Sequence, residues 1–191
     1  MMRRHILLSG GIGSGKSAVA GLLRERGIEA IDADSIGHEV LEPDGEAYAK
    51  VVEEWPSVLK EGRIDRGRLA AVVFDDPVAL HRLESISHPA IRERIMRLVA
   101  ESDASIVAVE VPLMSDFLPG SWMRVIVDAS DEVRRRRLRD RGMKERDIDV
   151  RMMAQPSRAE WLESADWVVN NDGHFDALQA EVEELIEHLW G

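Results

Sequence analysis

Eight residues constrain this chain more than any others: Gly10-Gly11-Ile12-Gly13-Ser14-Gly15-Lys16-Ser17, directly after His5-Ile6-Leu7-Leu8-Ser9 and directly before Ala18-Val19-Ala20-Gly21-Leu22-Leu23. The pattern G-x-x-x-x-G-K-S between a buried strand and a helix is that of a phosphate-binding loop. Polyphosphate must be met by several backbone N–H groups at once, and residues without a Cβ let the main chain curl that tightly. Gly11, Ile12, Gly13, Ser14, Gly15 and Ala18 are therefore expected to line the anion. Lys16 is expected to reach the β- and γ-phosphates, and the Ser17 hydroxyl to ligate Mg²⁺. The helix that starts here points its positive dipole end at the same charge. A glycine-rich turn with a solvated lysine is the bland alternative. Two glycines, a lysine and a serine fixed in a strand-loop-helix context argue against it.

The rest of the chain alternates strands with helices, which gives an α/β domain with a parallel sheet. A helix from about Lys16 to Arg26 buries Val19, Leu22 and Leu23, and Gly27 closes it as a left-handed cap. Ile28 to Asp32 reads as the second strand. It leads into Asp32-Ala33-Asp34, so two carboxylates emerge at the sheet edge where open α/β proteins bind ligands. From Ser35 to about Ser102, apolar residues recur at helical spacing, as in Ile36 with Val40 and Ile91 with Ile95 and Leu98. Turn signals at Pro43-Asp44-Gly45, Trp55-Pro56, Glu61-Gly62 and Asp75-Asp76-Pro77 cut this stretch into several short helices. It is a candidate acceptor-binding insert, or alternatively a cover over the sheet.

Ser105 to Pro112 is a continuous apolar run, typical of a strand buried on both faces. Glu110, near its end, is placed to orient a Mg²⁺-bound water. Trp122 to Asp128 is a fourth strand, and Ser130 or Asp131 is expected to cap the helix that follows. That helix carries Arg134, Arg135, Arg136, Arg137, Arg139 and Arg141. Arg134, Arg137 and Arg141 share one face, which can close over phosphates, whereas a solvated basic face is the simpler reading of the run as a whole. Gly142 ends it, Lys144 to Met153 form another short helix, Trp167 to Asn170 the fifth strand, and Phe175 to Trp190 a closing helix.

Composition narrows the classes. The chain has 191 residues, no Cys and a net charge of −11, which excludes disulfides and thiolate metal sites and argues against general nucleic-acid binding. Cytoplasm is the expected compartment. The apolar run after Arg3 and Arg4 is too short for a signal peptide, and no stretch approaches a membrane span, so no membrane partner is expected. Any anionic ligand must be captured by basic groups set inside an acidic surface.

These residues resemble the dephospho-CoA kinase family. Ser9 to Ser17, Ile31-Asp32-Ala33-Asp34, His88-Pro89, Val111-Pro112-Leu113, Arg137 with Arg141, Gln155, and Ala165-Asp166 through Asn171 and Gly173 run in the family's order over nearly the whole chain. The resemblance implies a P-loop kinase with a five-stranded parallel sheet flanked by helices. Residues 1–34, 104–136 and 158–191 would form the nucleotide-binding core, 35–103 the helical acceptor (CoA)-binding insert, and 137–157 the helical lid. It implies ATP and dephospho-CoA as substrates, Mg²⁺ as cofactor, and transfer of the γ-phosphoryl group to the ribose 3′-hydroxyl. Asp34 matches the family's general base, with a helix N-cap before Ser35 as its alternative role. Lys16, Arg137 and Arg141 would stabilise the transferred charge. Asp32 with Ser17 would serve the metal. Asn171 and Gly173 would lie near the adenine, with a plain turn as the alternative. His88 and Arg92 would serve the acceptor, although Pro89 at the first position of a helix explains His88-Pro89 as well.

The sequence departs from the family at Trp161, where a basic residue is usual, leaving Arg158 as a substitute, and at Trp55-Pro56, Met114 and Asp116. Rival readings are another small-molecule or nucleoside monophosphate kinase, which would differ in the insert, and a nucleotide-binding module without turnover. A GTPase is disfavoured because no Asn/Thr-Lys-x-Asp motif is present. A metalloenzyme is disfavoured because no H-x-x-x-H pair is present. Nothing in the pattern fixes an oligomeric state.

Overall fold

The structure is a computed structural model that describes residues 4–112 and 117–191. Leu113, Met114 and Asp116, three positions that figure in the family comparison above, lie outside the described residues. In chain order the elements are β1 (Arg4–Ser9), α1 (Lys16–Glu25), β2 (Glu29–Asp32), α2 (Ala33–Glu39), α3 (Tyr48–Glu54), β3 (Leu59–Lys60), β4 (Arg63–Ile64), α4 (Arg66–Val73) and α5 (Pro77–Glu101). They continue with β5 (Ile106–Glu110), β6 (Met123–Asp128), α6 (Asp131–Asp140), α7 (Glu145–Met153), α8 (Arg158–Glu163), β7 (Trp167–Asn170) and α9 (Phe175–Trp190). Two compact units result. One comprises residues up to Asp32 together with Ser102–Gly191, and the other is Ala33–Glu101.

The first unit is built on a five-stranded sheet in the order β2-β5-β1-β6-β7, with every pairing parallel. Parallel strands covered by helices are buried on both faces, which is why Ile106 to Val109 is apolar without alternation. Ile6, Leu8, Ile106, Ala108, Val125 and Val127 form one core with Val19 and Leu23 of α1 and Val182 and Leu185 of α9. Register then sets the chemistry at the strand ends. Asp32 pairs with Glu110, Leu8 with Glu110 and Asp128 with Asn170, so acidic and polar side chains emerge in a row where β1 runs into the glycine-rich loop.

In the second unit α2, α3 and α4 pack on α5. Two features differ from the sequence expectation. Asp75-Asp76-Pro77 does end one helix, but α5 then continues unbroken for 25 residues with Pro89 in its interior rather than at a helix start. An interior proline costs roughly 3 kcal/mol. Burying Ile86, Ala90, Ile95 and Val99 along one face outweighs it, at about 1.5–3 kcal/mol per large aliphatic side chain. The second difference is a hairpin, β3 with β4, inside a stretch read as helical. Its ladders are two residues each, too short for alternation to show. Glu61 and Gly62 at its tip both have positive φ, 51° and 77°, as a tight hairpin turn requires. Because α2 begins at Ala33, Asp34 sits in its first turn, and the alternative role of Asp34 as the N-cap before Ser35 is not realised.

Candidate active site

The loop from Gly10 to Ser17 joins β1 to α1 at the carboxyl edge of the sheet. Gly10, Gly13 and Gly15 take φ of 146°, 80° and 102°, a backbone that side-chain-bearing residues rarely adopt. Gly11 makes room in a different way: a Cβ there would run into the guanidinium of Arg134 and push it from its place, just as one at Gly15 would strike the amide of Asn171. The Ser14 N–H closes a turn on the Gly11 carbonyl (3.1 Å), and the Ala18 and Val19 N–H groups start α1 on the Gly15 carbonyl. Lys16 Nζ donates to the Gly10 carbonyl at 2.8 Å, and Ser17 Oγ donates to Glu110 Oε1 at 3.2 Å.

The loop is braced from behind by α6 and by the segment after β7. Arg134, only 4% exposed, donates from Nε to the Ile12 carbonyl (2.9 Å) and from Nη1 to Asp131 (3.1 Å). The Ile12 N–H donates to Gln155 Oε1 at 2.7 Å, so that the peptide units on either side of Ile12 are both fixed. Arg137 donates to the Ser14 carbonyl (3.1 Å) and to both the carbonyl (2.9 Å) and side-chain oxygen (3.1 Å) of Asn171. Asn171, itself buried, donates from Nδ2 to Ser14 O at 2.7 Å. Burial is the main cause that lowers the pKa of Arg134 and of Arg137; for Arg137 the neighbouring charges of Arg136 and Arg141 add to it. Arg141, at the C-cap of α6, is exposed.

Two carboxylates stand beside Lys16 and Ser17. Burial pushes the Glu110 carboxyl above its ordinary range; Lys16 and the Ser17 hydroxyl pull it back, and Asp32 on the adjacent strand pushes it up again. A half-buried carboxylate with an acidic neighbour and a hydroxyl is an all-oxygen donor set. That suits Mg²⁺, which keeps several waters and takes one or two carboxylates. Among the described residues no group of three or more His, Cys, Asp or Glu forms a dedicated metal cage.

The arginines of α6 divide by face. Arg135 pairs with Glu145 and Asp149, and Arg139 with Glu145. Arg134 and Arg137 face the loop but hold its carbonyls. Ser130 occupies the cap position of α6 without a side-chain cap bond, and its N–H donates instead to Asp172 at 2.7 Å. Trp161, which stands where the family carries a basic residue, is 2% exposed. Arg158 forks onto Asp128, with Nε and Nη2 at 2.9 and 2.6 Å. A Cβ on Gly173 would lie 3.2 Å from that of Ala177, closer than side chains ordinarily pack, so the start of α9 would have to give slightly.

Asp34, His88 and Arg92 belong to the second unit. Asp34 is exposed on α2, while Ile36 and Val40 turn inward. Gly37 of α2 faces Ile91 of α5, and His88 and Arg92 flank Ile91 one turn apart. Sequence reasoning missed the bracing role of Arg134, although its place on the face of Arg137 carried the signal. It also missed the Asp128–Arg158 pair, whose members lie 30 residues apart.

A family model described as dephospho-CoA kinase matches residues 4–177. The chain belongs to the dephospho-CoA kinase family. The dephospho-CoA kinase of Thermobifida fusca (strain YX) is 39% identical over 188 residues, 95% of this chain and 94% of that protein. Among solved structures, TT1252 from Thermus thermophilus superposes with a TM-score of 0.85 at 31% identity, covering all of both chains. The dephospho-CoA kinase from Campylobacter jejuni, at 23% identity and 98% coverage of each chain, shares the fold with a TM-score of 0.70. As a dephospho-CoA kinase family member the chain is a transferase of the last step of coenzyme A synthesis, with ATP as a substrate.

Proposed function

We propose that this chain moves the γ-phosphoryl group of ATP to the ribose 3′-hydroxyl of dephospho-CoA, with the roles that follow. The observation that carries the reading is the phosphate loop itself, with Lys16 and Ser17 at its mouth and its outer carbonyls tied off by Arg134, Arg137 and Asn171. The loop from Gly11 to Ala18 cradles the phosphates through its amides other than those of Ile12, Ser14 and Ala18, which donate within the protein, and Lys16 leaves the Gly10 carbonyl to reach them. Asn171 and Gly173 border the adenine. Ser17 and Asp32, with Glu110 behind them, would hold Mg²⁺, which would supply positive charge against the phosphates.

Asp34 accepts the proton of the 3′-hydroxyl as its oxygen forms the new P–O bond. The bond from the γ-phosphorus to the bridging oxygen breaks, and ADP leaves. A general base of this kind is worth ~10²–10⁴ in rate. Arg137 and Arg141 offset the charge spread over the transferred group. Residues 35–103, with His88 and Arg92, serve as the acceptor insert, and 137–157 as the lid. The cytoplasm, where thiols stay reduced, is the compartment this reading assigns to a chain without Cys.

The test is an acceptor panel read by ADP release. Dephospho-CoA with Mg²⁺ is expected to drive turnover, whereas shikimate or a nucleoside monophosphate is not; equal release with either would remove the acceptor assignment. Asp34→Asn is expected to abolish turnover while ATP affinity holds. A variant with wild-type kcat would unseat Asp34.

A further inference from the structure

The arginines of the second unit sort by what they face. Arg63 pairs with Glu42, Arg82 with Glu54, Arg94 with Glu39 and Glu46, and Arg97 with Glu46, so their charges are matched. Arg68 donates to the carbonyls of Ser57 and Leu59, both at 3.3 Å. Arg66 differs: its Nη2 stands 2.6 Å from Nε2 of His38, and among the described residues neither side chain forms an ion pair with a carboxylate. A guanidinium held against a ring nitrogen keeps its whole charge and most of its five donors. In a chain of net charge −11, an exposed cation of this kind is a local attractor for anions.

Its position is fixed on firm elements. Asp65 caps α4, accepting from the N–H groups of Gly67 (2.9 Å) and Arg68 (3.1 Å), and its own N–H donates to the Val58 carbonyl at 2.9 Å. Arg66 is thus the first residue of a capped helix. His38 lies one turn after Asp34 on α2, and both are exposed on the side away from Ile36 and Val40. Residues four apart on a helix have Cβ atoms about 5–6 Å from one another. A nucleotide ribose carries its 3′-hydroxyl and its 5′-phosphate at opposite ends of one furanose ring, a span of the same order. With the ribose laid along α2, a 3′-hydroxyl at Asp34 puts the 5′-phosphate groups within reach of His38.

We propose that Arg66, oriented by His38, binds the 5′-diphosphate of the acceptor nucleotide and sets the distance from that diphosphate to the hydroxyl at Asp34. The inference rests on the reading of Asp34 as the base. Arg66 supplies the charge and the paired donors that a diphosphate takes, and His38 is a positioning residue. The site selects acceptors that carry a 5′-phosphate chain over bare nucleosides.

The test uses the full chain in steady-state assays with dephospho-CoA, ATP and Mg²⁺ at several salt concentrations. Arg66→Gln is expected to raise KM for dephospho-CoA about tenfold or more, with a smaller loss in kcat from the misplaced hydroxyl and KM for ATP unchanged. The rise of that KM with salt, which a charge contact produces, is expected to flatten in the variant. Arg66→Lys recovers part of the loss, and His38→Ala raises the same KM by a smaller factor. An unchanged KM in Arg66→Gln overturns the inference, as does a raised KM whose salt dependence matches the wild type, because that is the mark of a structural loss. Wild-type chain that releases no ADP with dephospho-CoA overturns the functional reading itself and this inference with it.

Discussion

Arg137 and Arg141 stand one turn apart at the end of α6 and meet different surroundings. Arg137 satisfies the Ser14 carbonyl and both oxygens of Asn171, whereas Arg141 is exposed. Arg137→Ala takes this donor from both oxygens of Asn171 and leaves the Ser14 carbonyl with Asn171 Nδ2 alone, at about 1–3 kcal/mol of stability. A lowered melting temperature of the free protein checks it. Arg141→Ala is expected to melt like wild type yet lose more in kcat than in ATP affinity, the pattern of a group that acts on developing charge. The opposite pattern would make Arg141 a plain binding residue. At this scale the loop was legible, because its spacing is its mechanism. The purpose of Gly11 was not, since the room that a bare backbone leaves there is taken by Arg134, more than a hundred positions away.

Among the elements, α5 is the one on which the second unit is assembled, and a single carboxylate fastens the α2–α3 connection to it. Glu46 takes hydrogen bonds from Arg94 Nε (3.0 Å) and Arg97 Nη2 (2.6 Å). Burial alone would raise its pKa, but its own backbone hydrogen bond and the two arginines outweigh that and hold it below the ordinary range. A carboxyl depressed by folding stabilises the fold fully above its unfolded pKa, and that stabilisation is lost as pH falls through the lower, folded value. Glu46→Gln is therefore expected to lower stability at neutral pH by about 1 kcal/mol, discounted for partial exposure. Thermal melts should show the gap to wild type closing as the solution is acidified; a gap that stays constant would mean that charge is not its origin. The five sheet strands were legible because each is a distinct apolar run. The β3–β4 hairpin and the continuity of α5 through Pro89 were not. Two-residue ladders carry no pattern, and local rules for proline do not register the burial that overrides them.

For the whole molecule, the acidic surface and the basic loop region pull in opposite directions on an anionic substrate, and capture has to be local. Binding that favours the folded state stabilises it by mass action. Mg²⁺ and ATP at a hundred times the Kd are expected to add about 2.7 kcal/mol, roughly 5–10 °C in melting temperature for a chain of this size. Lys16→Ala should remove most of that shift, and a wild-type chain whose melting ignores ATP would refute the phosphate-loop reading. The division into residues up to Asp32 with 102–191 and Ala33–Glu101 follows a change of hydrophobic period visible in the sequence, from short apolar runs to helical spacing.

The tying-off of the Ile12 and Ser14 carbonyls means that the mould for the phosphates is cast during folding. An arriving nucleotide needs no backbone to settle round it. The entropy of shaping that turn is already lost, so encounter speed is governed by diffusion and by the field at the entrance.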